Sequence, residues 1–282
     1  MKLIDDFKMT PFTRTAWVSE AARDKWEGAI KSCAALVSDL EILSVEAGHR
    51  PCAWRTVSRA ELPEFAKCCA DRRLSVLPVR WVGLFPGNGF LHYTPEGDSQ
   101  AYCIIARDLD AALKFRAAFE AGDHDIQGEM LGFPLCCRKA FAENWKAGIF
   151  DPIWQAACAD YPGWMPAENR LRKIEAHPYS NPLLRYIGLR VGFHIPHSFN
   201  CQETIRIGIE RLSLAKEKDL VAILEHLLSM PMEAQLLHGI LQIRTPLFYV
   251  INYSVPTHEK YTIKVAGNFI PKEGQWLGQG NA

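Results

Sequence analysis

The chain has 282 residues, is 48% hydrophobic, and balances 32 basic against 32 acidic side chains for a formal net charge of zero. That length and apolar content allow one large or two modest globular domains, and the charge balance favours neither nucleic acid nor an anionic membrane surface as a partner. No apolar run approaches the roughly 18 to 20 residues of a spanning helix, and the opening MKLIDDFKMTPFTRT lacks a signal-peptide core, so a cytoplasmic protein without a membrane partner is expected.

The stretch LEILSVEA (40–47) is β-compatible. SRAELPEFAKCCADRR (58–73) reads as a helix opened by Ser58 with Glu61 three residues on, and LSVLPVRWVGL (74–84) is again strand-like. FPGNGF (85–90) lacks Rossmann or P-loop spacing and reads as a turn; with TPEGD (94–98) it precedes AYCIIA (101–106), a short buried strand. DLDAALKFRAAFEAG (108–122) is a helix started near Asp108 or Asp110 and closed by Gly122. These elements predict a small α/β layer in the region 1–122, with Cys68, Cys69 and Cys103 as packing residues.

The region 123–282, separate or continuous with the first, starts mostly helical. PLCCRKAFAENWKAG (134–148) has Pro134 in its first turn, where the missing N–H costs nothing, and Gly148 past its end. WQAACADYPGWMPAEN (154–169) reads as a broken, aromatic-rich connector; Trp145, Trp154 and Trp164 cluster around it as core or pocket wall. NPLLRYIGLRVGF (181–193) is a short helix leading to an extended segment. CQETIRIGIERLSLAKEKDL (201–220) repeats apolar residues at 205, 209, 212 and 215, a helix with one buried face, and DLVAILEHLLSM (219–230) is another. ILQIRTPLFYVINYS (240–254) and EKYTIKVAG (259–267), separated by VPTH, predict a C-terminal β-hairpin. The fold class is therefore α+β: a small α/β layer, a central helical region and a C-terminal hairpin.

Nine cysteines, two pairs of them adjacent, have no secretory context and read as reduced thiols. Cys136 and Cys137 fall in the first turn of their helix, where free backbone N–H groups and the positive end of the dipole favour thiolate over a thiol of pKa about 8.5. Ser198 or Asn200 can cap the helix after HIPHSFNC (194–201), and Asn200 with Glu203 has capping-box spacing, so Cys201 is a first-turn residue as well. Pro196 can turn the chain so that His194 or His197 faces Cys201. Imidazole and thiolate together are ligands for zinc and for some iron sites, so Cys136, Cys137, His194, His197 and Cys201 form a candidate metal set. Adjacent helical side chains diverge by about 100°, which predicts that one small ion takes only one of Cys136 and Cys137, whereas an iron–sulfur cluster can take both.

DIQGEMLGFPLCC resembles the G-x-x-L-G-[YF]-P-x-C-C segment of a group of uncharacterised prokaryotic proteins. NPLLRYIGLRVGFHIPHSFNC is similar to their N-P-L-L-R-x-x-G-[IL]-R followed by H-x-P-C-S-x-x-C, and LLHGILQIRTPLFYV to their H-G-[IV]-x-[EQ]-[IV]-[RK]-T-P-[VL]-[FY]. The resemblance covers roughly residues 120 to 265. It puts His194, Cys201 and the pair Cys136 and Cys137 on the family's own residues and His197 where the family has cysteine, an exchange of one good ligand for another. It implies a site, and no established activity.

Arg185, Arg190, His238 and Arg244 are candidates for orienting an anionic group. Neither a Gly-x-Ser-x-Gly elbow nor a His-Glu-x-x-His helix occurs. Three functions fit: a metal-dependent enzyme, with zinc, iron or an iron–sulfur cluster, acting on a small molecule or a modified nucleobase; a structural metal-binding module for a protein or nucleic-acid partner; and a metal-free enzyme with Cys201 or Cys136 as nucleophile and His194 or His197 as base.

Overall fold

The computed structural model describes residues 15–83, 97–146, 151–162, 171–236 and 239–252. Two antiparallel sheets share one long helix in a mixed α+β fold. That helix, α1 (Glu20–Glu46), starts on Ser19, whose hydroxyl accepts from the Ala22 N–H at 3.1 Å. Its 27 residues span about 40 Å at 1.5 Å each. Ile30, Cys33, Leu36, Val37 and Leu40 enter the large core, while Ile42 and Val45 enter the core of the smaller sheet. The β-compatible stretch 40–47 is thus helical almost to its end. Val37, Leu40 and Ser44 keep helical spacing, and packing against both cores overrides the local β-branched preference.

The smaller sheet has the order β2 (Cys52–Ser58), β4 (Gln100–Ala106), β3 (Ser75–Val82). Central β4 is covered on both faces, which is why AYCIIA is a continuous apolar run. Cys103 and Ile105 point into the clusters beneath α1 and α2 (Leu62–Asp71), and Ile104 and Ala106 into the one beneath α3 (Leu109–Glu120). Pro78 sits at a bulge of edge strand β3, where a missing N–H is tolerated. Helix α3 starts and ends as expected, between the Asp108 cap and Gly122. Helix α2 starts four residues later than expected. The Ser58 hydroxyl and Glu61 do bond each other, but within a turn that precedes the helix, and Pro63 marks its first turn. Cys69 and Cys103 are buried as expected, whereas Cys68 is exposed on the outer face of α2. The FPGNGF stretch lies outside the described residues.

The larger sheet has the order β1 (Thr15–Trp17), β8 (Phe248–Asn252), β7 (Ile240–Arg244), β6 (Met232–Gln235), β5 (Leu171–Ile174), with each neighbouring pair antiparallel. The hairpin forms inside the first predicted strand. β7 and β8 fold back at residues 245–247, where the Thr245 hydroxyl accepts from the Leu247 and Phe248 N–H groups at 3.1 and 3.0 Å. EKYTIKVAG lies outside the described residues. The first half of the expected connector is a helix, α6 (Pro152–Asp160), because the Asp151 carboxylate accepts from the Trp154 N–H and Pro152 suits the first turn. Trp154 is a core residue, whereas Trp145 stacks on Phe141 at the surface; Trp164 lies outside the described residues.

Helix α7 (Gln202–Ser213) departs most usefully from expectation. Its buried face carries Thr204, Gly208, Arg211 and Leu212, while Ile209 is 56% exposed. Three of those positions act by close approach or hydrogen bonding and not by apolar area; of the expected apolar positions Leu212 and Ala215 are buried, Ile205 is half-buried and only Ile209 faces solvent. A Cβ on Gly208 would stand 2.6 Å from the Tyr179 Cβ. Gly208→Ala is therefore expected to lower stability by about 1–2 kcal/mol, the overpacking cost outweighing a helix-propensity gain of about 1 kcal/mol. A urea midpoint equal to or above wild type would show that α7 and Tyr179 separate freely.

Candidate metal centre

Two chain segments build the site. After α4 (His124–Met130), Gly132 at φ +71 reverses the chain, and the Pro134 carbonyl accepts from the Arg138 N–H at 3.0 Å to start α5 (Leu135–Lys146). Cys136 and Cys137 accordingly occupy the first turn of α5, as expected. The second segment leaves a 3-10 turn at Leu183–Ile187 through Gly188 at φ +84 and runs without regular structure to α7.

Asp160, the last residue of α6, holds that segment: one carboxylate oxygen accepts from the Ser198 hydroxyl and the other from the Phe199 N–H at 2.7 Å. The buried Phe199 ring anchors the turn in the large core. Because Ser198 is committed to Asp160, neither it nor Asn200 caps α7. Cys201 is itself the N-cap residue, with an extended backbone and no capping bond from its side chain, and Glu203 pairs with Arg206 in place of a capping box. Asp160→Asn is expected to cost about 1–3 kcal/mol, since an amide cannot accept from both donors with both of its ends. Thermal unfolding checks this, and an unchanged midpoint would mean that Asp160 does not position the turn.

The two segments bring Cys136, Cys137, His197 and Cys201 together, their ligand atoms all within 4.8 Å of one another. The sulfurs of Cys136 and Cys137 are 4.0 Å apart, and each lies near Cys201 Sγ, at 3.8 and 3.7 Å. Cys137 Sγ stands 3.4 Å from His197 Nδ1. Ligands bound at about 2.0 to 2.3 Å to one tetrahedral ion stand about 3.5 to 3.8 Å from each other, and the three sulfur–sulfur distances and the Cys137–His197 distance lie near those edges. One small ion was expected to take only one of the adjacent cysteines, and the structure places both sulfurs in the group of possible ligands. The 100° helical offset separates the Cα–Cβ bonds, and rotation about those bonds is enough to bring both sulfurs into the same group.

Three sulfurs this close cannot all ionise without a cation. The Cys201 thiol is pulled down to about 4, chiefly by the hydrogen bond from Cys137 and further by Thr204, against the effect of its burial. Cys137 is pushed up, first by giving that hydrogen bond and then by burial, and burial followed by the Cys201 charge raises Cys136. Without metal the group holds one thiolate, and binding a cation to all of it releases the remaining thiol protons.

His194 is not among the four converging groups. It is buried beside them, its Nε2 is 2.8 Å from Thr204 Oγ1, and that hydroxyl lies 3.7 Å from Cys137 Sγ. With its proton on Nε2, His194 donates to Thr204, which leaves the single Thr204 hydroxyl proton for one of the neighbouring sulfurs, Cys137 or Cys201. Phe133 covers the imidazole, ring centroids 5.3 Å apart, and Nδ1 has no hydrogen-bond partner among the described residues.

The proposed orienting residues are scattered. Arg190 pairs with Glu41 at 2.9 Å, Arg185 lies half-buried on the 3-10 turn, Arg244 is exposed beside Tyr249, and His238 lies outside the described residues. Sequence reasoning missed Thr204, Asp160 and the buried Arg50 and Arg211. Among these, the polar Thr204 and Arg211 seven positions apart on an otherwise apolar helical pattern were a usable signal. Comparison with protein families, curated proteins and solved structures gives no match, so the family resemblance stands on its motif residues alone.

Proposed function

We propose that the chain is a metalloprotein holding one tetrahedral cation, with zinc as the best fit, between Cys136, Cys137, His197 and Cys201. The observation that carries this reading is the convergence of four ligand atoms from two distant segments within 4.8 Å, with the sulfur–sulfur and Cys137–His197 distances near tetrahedral edge lengths. In an iron–sulfur cluster the cysteines bind different irons and stand further apart than ligands converging on one ion, so the same spacing favours a single zinc or iron. Four protein ligands fill a tetrahedral shell. The metal then fastens the start of α5 to the start of α7, which supports a structural centre and a role for the fold in binding a partner.

A metal-dependent enzyme acting on a small molecule is the second reading, and the half-exposure of Cys136 and His197 favours it. Exchange of one of these two ligands would open a coordination position toward solvent for water activation or substrate binding, while the buried Cys137 and Cys201 retained the ion.

Oxygen-free purification followed by metal and acid-labile sulfide analysis tests both readings. One metal ion per chain without sulfide is expected, and cobalt substitution is expected to give the intense visible bands of a tetrahedral thiolate site. Wild-type protein with far less than one metal per chain would sink the proposal. Exchange of a labelled thiol ligand into the cobalt spectrum would separate an open centre from a closed one.

A further inference from the structure

A second group of charged side chains lies along α7, beyond the metal ligands. Arg50 and Arg211 are 4% and 3% exposed, and their guanidinium carbons stand 4.6 and 3.9 Å from the centroid of the same Phe193 ring. Arg190 approaches that ring at 5.8 Å. Among the described residues, Glu41 is engaged by Arg190 at 2.9 Å and reached by Arg50 only at 4.0 Å, while Glu210, the other carboxylate acting on Arg211, is paired with Arg206. Arg50 donates to the Glu41 backbone carbonyl and Arg211 to that of Val191, both neutral acceptors. The Nε of Arg50 is buried without a hydrogen-bond partner among the described residues.

Guanidinium groups keep their charge in proteins, and a buried charge lacking a counter-ion is strongly unfavourable. The Phe193 ring offsets part of that cost through its electron-rich face. It does not supply a negative charge. A cavity of about 100 Å³ lies against the pair, lined by His49, Arg50, Gly132, Arg206, Glu210 and Arg211 among others. That is room for several waters or one small oxyanion. Glu210 in the lining is shared with Arg206, which also pairs with Glu203, so the carboxylates there serve the rim arginine as well as the deep one.

We infer that this cavity is a binding site for a phosphate-sized oxyanion, free or as the end group of a larger molecule, with Arg50 and Arg211 as its floor and Arg206 at its rim. Planar guanidinium forks suit the paired oxygens of such a group. The site touches the metal centre through the backbone: a Cβ on Gly132 would stand 2.8 Å from the Arg50 Cβ, and Gly132 is in the turn that leads to Cys136. The inference does not depend on the identity of the metal or on its role.

Titration calorimetry and thermal unfolding of the protein as purified, in chloride buffer of constant ionic strength, test it with inorganic phosphate in one arm and glycerol phosphate in the other. Saturable binding at one site per chain with a raised midpoint is expected. Tighter binding of the free ion identifies it as the ligand, and tighter binding of the ester identifies an end group. Arg206→Gln, at the exposed rim, is expected to keep the unliganded midpoint and weaken phosphate about fivefold. Arg211→Lys keeps the charge, loses the fork and is expected to weaken it more than about tenfold. Absence of heat and of any midpoint shift in both arms overturns the inference, and so does wild-type affinity in Arg206→Gln together with Arg211→Lys.

Discussion

Cys201→Ser is expected to leave well under one metal ion per chain and to lower stability by several kcal/mol. Structural zinc sites contribute about 10 to 16 kcal/mol of apparent binding free energy at neutral pH, and a serine hydroxyl, which does not ionise there, supplies neither the charge nor the soft donor of the thiolate. Cys201 is also the N-cap residue of α7, and serine is among the best N-caps, so the local effect of the substitution on the helix is stabilising. A net loss therefore has to come from the ligand. Cys103→Ser is the matched control. It places the same hydroxyl in a fully buried strand position of the smaller sheet, where it is expected to cost about 1–3 kcal/mol and leave metal content at wild-type level. Metal analysis and urea unfolding on the two variants, with and without a chelator, provide the check. If Cys201→Ser retains a full equivalent of metal, the four-ligand reading fails.

Acid is expected to destabilise the protein through His194. Burial, the Arg211 charge and then His197 hold its imidazole down to about 3 from an ordinary value of 6.5. Since the folded-state pKa is the lower one, the unfolded chain binds more protons between those two values. His194 thus contributes fully above pH 6.5, and its contribution is lost as pH falls toward 3. The slope is at most about 1.4 kcal/mol per pH unit, so a loss of about 2–3 kcal/mol between pH 6.5 and 4.5 is expected. Protonation of the Cys201 thiolate adds to this in the metal-free protein and protonation of the metal ligands in the loaded one, so the comparison with a His194 variant isolates the imidazole. His194→Gln retains a donor for Thr204 and removes the titration. Its stability is expected to fall less steeply with acid than that of wild type, and parallel curves for the two proteins would remove His194 from the account.

Among the expected elements, α3 and its two ends were legible because each signal there is local: an Asp108 cap, an apolar face and Gly122 beyond the end. The stretch 40–47 was not, because a β-branched run within a long helix has no local marker, and contact with two cores decides its state. The expected strand 240–254 is two strands for a related reason. Thr245 forms the turn through its hydroxyl, and its apolar flanks read as one continuous strand. From α7 onward the apolar repeat marked Leu212 and Ala215 but not the rest of the buried face, since Thr204, Gly208 and Arg211 are buried for what they bond and what they admit.

The sequence by itself determined which residue types were available for the metal centre and put Cys136 and Cys137 in a first helical turn, because ligand chemistry and helix starts are written in short local runs. It also singled out His197 and Cys201 as possible partners for them. Only the tertiary structure decided that both adjacent sulfurs join His197 and Cys201, that His194 stands behind Thr204, and that Arg50 meets Arg211 across Phe193. Apart from His194 and Thr204, ten positions apart, those pairings join residues about 60 to 160 positions apart, and the packing of α5, α7 and the turn held by Asp160 sets their distances.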